Sequence, residues 1–407
     1  MGEKRKSGAR ASRFARRSAP QGGHGICPYP GLRNVGRVIA QPAVCVDGQT
    51  LYAELRRVLA APYAAERIFL ERVALQVFDA AAALNAAQPM LHLAYSVKTN
   101  PRTELLGIAH ERGLLAEVIH PLELQRALAC GFSPAACVYN GPYPAIYCRA
   151  EPGIVFADSI EAFTAAAATF QNALIGVRVR PRGITSHFGI PPEHLEMCAQ
   201  AIRRSGRRRF GVSFHVRPQD YGSRTWRDLV EAALELAVEL QRAGGARAVC
   251  FDVGGGKVPE EFDASARAGD FHWLSTRAID ALPDLETILA EPGQALATPC
   301  EAVVAPVLEV RRRDGKTDVV VDAGYPDLSQ IESYVHRLYL ARYSDVRAIE
   351  RGGRCRIVGR TCLEYDLLAN DARLEDAAVG DAIVVADAGA YDASMRFAFA
   401  RGRAGNT

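Results

Sequence analysis

Short apolar runs recur along the chain at 91–97, 115–119, 137–139, 154–156, 174–180, 210–216 and 247–253. Between most of them the apolar spacing lengthens to three and four residues. That spacing predicts helices at 103–112, 121–130, 159–170, 192–204 and 225–243. Strand followed by helix, repeated, is the signature of parallel β/α units. About eight such units in roughly 220 residues suit a (β/α)8 barrel. Upstream, "GRVIAQPAVCVD" (36–47) reads as a strand and "TLYAELRRVLA" as a helix. "RIFLERVALQVFDAAAALNAA" then starts as a strand and turns into a helix.

The pattern changes near 300. "EAVVAPVLEVRRRDGKTDVVVDAG" predicts two strands joined by the turn "RDGK", and "RCRIVGRTC", "DAIVVADAG" and "FAFARG" predict further strands. No long helix intervenes, so this part reads as a mostly antiparallel β domain. The expected organisation is a disordered basic tail (1–26), an N-terminal segment that pairs with the β domain (27–70), a barrel (71–300) and a C-terminal β domain (301–407).

Composition adds limits. A hydrophobic content of 49% and a charged content of 23% are ordinary for a globular enzyme. No apolar run approaches the roughly 18–20 residues needed to span a membrane. The net charge of +3 conceals an asymmetry: without residues 1–22, the 49 basic and 46 acidic residues become 42 and 45. Only the tail is basic, and nothing after it supports nucleic-acid recognition. The ten cysteines are irregularly spaced with no CxxC pair, which excludes a disulfide framework and gives no metal-ligand spacing. Cys130, Cys137, Cys250 and Cys300 lie in apolar surroundings and are expected to be buried thiols. A reducing cytoplasm suits that usage.

Six segments carry candidate chemistry. In "HLAYSVKTNP" an apolar strand ends in Lys98, whose amine at a barrel mouth would be desolvated, its pKa lowered, and suited to Schiff-base formation. A solvent-exposed lysine at a strand end is an equal reading of this segment alone. "GVSFHVRPQD" places His215 in an apolar strand pattern, where a core histidine is the commoner outcome and a flat face against a ring the functional one. "VCFDVGGGKVP" runs a strand into Gly254, Gly255 and Gly256, whose backbone N–H groups could approach an anion. "ILAEPGQAL" sets Glu291 before Pro292 and Gly293, and "GRTCLEYDLL" and "DAGAYDASM" contribute Cys362 and Tyr391.

In this order and spacing the six segments resemble the fold-type III pyridoxal 5'-phosphate (PLP) decarboxylases, the group of the diaminopimelate, ornithine and arginine decarboxylases, over about residues 65–397. The resemblance implies a (β/α)8 barrel of the alanine racemase type followed by a β domain. It also implies decarboxylation of an amino acid through an external aldimine and a quinonoid form. Lys98 corresponds to the Schiff-base lysine, His215 to the histidine stacked on the ring, and Gly254, Gly255 and Gly256 to the phosphate loop. Glu291, with Gly293 in the same motif, corresponds to the partner of the ring nitrogen, and Tyr391 to the phosphate tyrosine. Cys362 corresponds to the catalytic cysteine that acts across a homodimer. A racemase of the same fold is the alternative enzyme, but racemases place arginine at the ring nitrogen and tyrosine as the opposite base. A non-catalytic PLP-binding paralogue is the alternative outside catalysis.

Departures from the family bear on substrate. Gln294 and Gln330 stand where arginines are usual, and Leu363 replaces the acid that binds a distal ammonium, while Tyr334 is kept. Glu364 could restore that charge, and Arg217 could take over a phosphate or carboxylate contact or be an exposed loop residue. His120, Pro121 and Leu122 replace small residues. These changes imply that the substrate is not diaminopimelate, and they suit an amino-acid-derived substrate, acylated or carried on a larger molecule.

Overall fold

The computed structural model describes residues 53, 66–255, 264–313, 315–333, 336–342 and 345–399. The basic tail, most of the 27–70 segment, Gly256 and Tyr334 lie outside them.

Strand β1 (Glu66–Phe69) precedes helix α1 (Glu71–Ala87). Eight parallel strands follow: β2 (Leu91–Ser96), β3 (Leu115–Val118), β4 (Cys137–Tyr139), β5 (Ile154–Ala157), β6 (Leu174–Arg178), β7 (Arg209–Ser213), β8 (Arg247–Gly255) and β9 (Thr287–Glu291). They close into a barrel in sequence order, β9 pairing back to β2. The intervening helices are α2 (Thr103–Glu111), α3 (Pro121–Ala129), α4 (Ile160–Thr169), α5 (Leu195–Arg204), α6 (Trp226–Gly244) and α7 (Ala264–Ala281). Local chemistry sets their ends. Thr225 and Asp228 form a reciprocal capping box at the start of α6, and Gly245 ends that helix in the left-handed region at φ 64°. The predicted helix at 192–204 begins instead with a 3-10 turn at Pro192–His194, because Pro191 and Pro192 fit a helix only at its first turn.

After the short helix α8 (Gly293–Ala297) come β10 (Glu301–Arg313), β11 (Lys316–Val321), β12 (Leu338–Arg342), β13 (Asp345–Ala348), β14 (Arg351–Val358), β15 (Leu367–Ala372) and β16 (Ala382–Val385). They form a sheet in the order β13-β12-β16-β10-β11-β14-β15, with β1 antiparallel on β10. Among the described residues of this sheet, only β11 and β14 pair in parallel. The sheet has its own core around Val303, Val319, Leu340, Ile357 and Val385. The strand expected at "FAFARG" does not form over its described residues 397–399. The Phe397 N–H donates to Pro326 O at 3.2 Å, outside any strand. Alternating Phe-Ala-Phe marks one apolar face, but Phe397 lays that face on Tyr325, with ring centroids 5.9 Å apart. Without a neighbouring strand no ladder follows.

The barrel interior is organised in layers. Val138, Phe156, Cys250 and Leu289, each from a different strand, form a buried apolar plug with Leu115, Ile154 and Leu174 against it. A side chain at Gly176 or Gly211 would meet the Phe156 ring at 2.7 or 2.9 Å, so both glycines make room for it. Strand side chains repeat every two residues. Two positions beyond this layer, toward the C-terminal ends, stand Glu117, Asn140, Arg178, Ser213, Asp252 and Glu291. The barrel thus carries a polar layer directly above a hydrophobic one.

Candidate active site

Lys98 follows β2 in the turn 97–99 and reaches Glu117 at the end of β3, with Nζ 2.8 Å from Oε1 and 2.6 Å from Oε2. Glu117 is fully buried and also accepts from the Ser96 hydroxyl. The Lys98 pKa is raised, not lowered as the sequence suggests. Burial alone pushes the Lys98 ammonium down, but the charge of Glu117, and secondarily of Glu291, outweighs it and holds the group above its ordinary value.

Glu291 ends β9 and is buried. The Asn140 amide donates to Glu291 Oε1 at 2.9 Å and lies 3.2 Å from Asp252 Oδ2 and 3.3 Å from Ser213 Oγ. Ser213 Oγ donates to Asp252 Oδ2 at 2.8 Å, and the Gly254 N–H to Asp252 Oδ1 at 2.8 Å. Burial, then the neighbouring charges of Asp252 and Glu117, push Glu291 well above the usual carboxyl range. Burial also raises Asp252, to about 6, against the hydrogen bonds that favour its anion.

His215 lies two residues past β7, not inside the strand. The chain takes one more ladder bond, Phe214 N to Asp252 O at 3.0 Å, and then leaves toward the turn at Pro218–Asp220. His215 Nδ1 accepts from the Gly255 N–H at 3.0 Å. Burial, followed by the positive charges of Arg178, Lys98 and Arg217, lowers its pKa to about 3, so the ring is neutral at ordinary pH. The unfolded histidine titrates near 6.5 and the folded one near 3. Its contribution is therefore complete above pH 6.5 and is lost as pH falls toward 3, by at most about 5 kcal/mol. In thermal melts across that window, His215→Gln should flatten the slope; an unchanged slope would remove His215 as its source.

The N–H groups of Gly254 and Gly255 are thus committed to Asp252 and His215, so in this structure they orient those side chains rather than present donors to an anion. Both positions need glycine: Gly254 has φ 65°, and a Cβ at Gly255 would stand 2.0 Å from Glu291 O. Gly293 packs on the Lys98 turn, where a Cβ would meet Thr99 Oγ1 at 2.4 Å. Tyr391, at φ 61°, is tied to the same turn by its N–H to Thr99 O at 2.8 Å. Asn100 Nδ2 donates to Gly389 O at 2.8 Å. The sheet domain therefore delivers Tyr391 to the lysine loop.

The other predicted residues lie further out. The Gln330 N–H donates to Asp392 Oδ1 at 2.8 Å, and its amide faces Met395. Arg217 is exposed and paired with Asp220 at 2.7 Å, as an ordinary loop arginine is. Cys362 and Glu364 are exposed on the β14–β15 loop. Among the described residues, no hydrogen bond or ion pair joins Cys362 to Lys98, His215 or Glu291. Buried Asp366 builds that loop, accepting from the Tyr325 N–H at 2.6 Å, the Thr361 N–H at 3.0 Å and the Thr361 hydroxyl. Of the cysteines expected to be buried, Cys130 is only half-buried at the end of α3, while Cys137, Cys250 and Cys300 are buried.

Glu117, Asn140, Ser213 and Asp252 were not singled out from the sequence. The signal for them is a polar residue at the C-terminal end of an apolar barrel strand, a position costly to fill unless the group has partners. The cluster fits a cationic ring: the charges of buried Glu117 and Glu291 both act on Lys98, and buried Asp252 lies beside Glu291. A pyridinium N–H would balance the excess and give Glu291 a second partner. The Thr99 hydroxyl, buried without a partner beside Lys98, is a further polar atom at this mouth.

Residues 70–298, more than half the chain, match the family model described as "Pyridoxal-dependent decarboxylase, pyridoxal binding domain". The chain belongs to this family. Its cofactor is pyridoxal 5'-phosphate, and it is an amino-acid decarboxylase. A diaminopimelate decarboxylase of Helicobacter pylori is 26% identical over 74% of this decarboxylase and 80% of its own length. A chloroplastic ornithine decarboxylase of Nicotiana glauca is 25% identical over 75% of each chain. The fold matches the crystal structure of the Paramecium bursaria Chlorella virus arginine decarboxylase with a TM-score of 0.71. At 19% identity that match covers 86% of this chain and 97% of the other.

Proposed function

We propose that this decarboxylase removes the α-carboxylate of an amino-acid-derived substrate, acylated and carrier-bound forms included, and that its substrate is not diaminopimelate. The observation that carries the assignment of roles is the joint placement of Lys98 and Glu291 in one buried cluster at the barrel mouth. When bound, PLP supplies the sink for the electron pair left by departing CO2. Lys98 is the residue that would hold it covalently, and Glu117, in contact with Nζ, is placed to take and return the amine's proton. Glu291 would keep a proton at the ring nitrogen. His215, neutral and held by Gly255, would give a flat face against the ring, and Tyr391 would reach the phosphate.

The substrate reading rests on the loop that carries Cys362. Leu363 follows the cysteine, and a distal ammonium facing it would have no anion; the missing charge-assisted bond is worth about 1.5–3 kcal/mol. Glu364 on the same loop is an acid that could keep a diamine as substrate. Because Cys362 stands exposed on a loop that Asp366 makes rigid, we assign it to the active site of a second copy. There its Sγ would donate the proton to substrate Cα. The active unit is then a homodimer with shared sites.

The test is to incubate PLP-loaded protein with a panel of amino acids, acylated and carrier-bound forms among them, and to measure CO2 and product mass. Release from a member of the panel lacking a distal ammonium is expected. Efficient turnover of diaminopimelate would overturn the substrate reading.

A further inference from the structure

Asp252 and Glu291 are neighbouring buried carboxyl groups with unequal support. Asp252 receives hydrogen bonds from Gly254 N and Ser213 Oγ, both at 2.8 Å, and from Asn140 Nδ2 at 3.2 Å. Glu291 receives one from the same Asn140 amide, at 2.9 Å. One Asn140 nitrogen contacts both Asp252 Oδ2 and Glu291 Oε1, so the two buried carboxyl groups are close neighbours and two negative charges there would repel. Hydrogen bonds to a carboxylate favour its charged form, so the better-supported group takes the charge and the other takes the proton.

We propose that Asp252 and Glu291 form a one-proton dyad, with Asp252 the anion and Glu291 the acid, and that Glu291 passes this proton to the ring nitrogen of the cofactor on binding. The inference rests on Glu291 facing that nitrogen, as proposed above. In the transfer the Glu291 O–H bond breaks and the ring N–H bond forms, leaving a carboxylate opposite a pyridinium; no proton comes from water. Asp252 acts through Glu291 and is a positioning residue, and Asn140 fixes which Glu291 oxygen faces inward.

The other groups around the pair are consistent with this arrangement. Glu117 on β3 repels charge on Glu291, while Lys98, engaged with Glu117, attracts it. His215, held by the Gly255 N–H, is neutral, and Arg178 pairs with Asp158 at 3.8 Å. Two adjacent buried carboxylates, each also facing Glu117, would be strongly unfavourable against a single ammonium, which is why one proton is retained.

The test uses the cofactor-free full chain, so it is independent of whether Lys98 binds PLP. Infrared difference spectra recorded across pH should show the carbonyl stretch of one protonated carboxyl persisting to neutral pH. Glu291→Gln, which preserves shape and can still accept from Asn140, should abolish that band. Asp252→Asn removes the neighbouring charge and should move the band's titration midpoint down by about one pH unit or more. Circular dichroism of each variant would establish that it is folded. In a second arm, ¹⁵N-labelled PLP bound to the wild type should show a protonated ring nitrogen as the carboxyl band disappears. Absence of the band from the wild type, its survival in Glu291→Gln, or an unmoved midpoint in Asp252→Asn would overturn the dyad. Borohydride labelling that misses Lys98 would instead overturn the assignment of the cofactor's anchor and leave the dyad measurement standing.

Discussion

Lys98→Ala protein should release CO2 at least about 1,000-fold more slowly than wild type, because the proposed covalent anchor of the cofactor is gone. The alanine variant also strips Glu117 of its cation, so a fall in stability would accompany the loss. Lys98→Arg separates the two effects. It keeps a positive charge at Glu117 and cannot form the covalent link, so it should melt near the wild-type temperature and still be inactive. The proposed shared sites add a sharper outcome. Cys362→Ala should be severely impaired alone, but mixed in equal amounts with Lys98→Ala it should regain activity. Random exchange makes about half of the dimers mixed, and each has one site with both functional residues, giving about a quarter of wild-type activity. Activity measured after subunit exchange decides it: no recovery would remove Cys362 from a trans role.

The second large effect is structural. Glu301 begins β10, is buried, and receives Arg67 Nη1 at 3.0 Å and Arg102 Nε at 2.6 Å. Arg67 also donates to Ala388 O at 2.6 Å and Asp327 O at 2.7 Å. One carboxylate thereby joins β1, the segment after Lys98, and the stretch leading to Tyr391. Glu301→Ala leaves a buried guanidinium with carbonyl partners only and should cost about 3–5 kcal/mol, read from urea unfolding. Glu301→Gln retains the shape and should cost less. A loss below about 1 kcal/mol in the alanine variant would mean that water enters and replaces the carboxylate.

The barrel was legible because its two periods are unmixed: apolar runs of three to seven residues alternate with helices whose apolar stripes face them. Glu301's role was not, because its partners lie 234 and 199 positions away in sequence. For the site, Lys98, His215 and Glu291 could be read from short motifs at strand ends. Asn140 and Asp252 were hidden because each is significant only through a neighbour on another strand. The Lys98 pKa was misjudged for the same reason: local sequence shows burial but not the carboxylate of Glu117 that reverses its effect. The segment at 397–399 failed in the opposite sense, its local pattern suggesting a strand that had no partner to pair with.

The plug of Val138, Phe156, Cys250 and Leu289 stops the barrel axis immediately below the reacting groups. A route along the axis to the opposite end would have to cross this buried layer, so the amino acid, the amine product and the released gas are expected to use the doorway at the C-terminal mouth. In the proposed dimer that doorway is narrowed by the second copy, and departure of the bulkier amine, not of CO2, is the step that a wider or narrower rim would change.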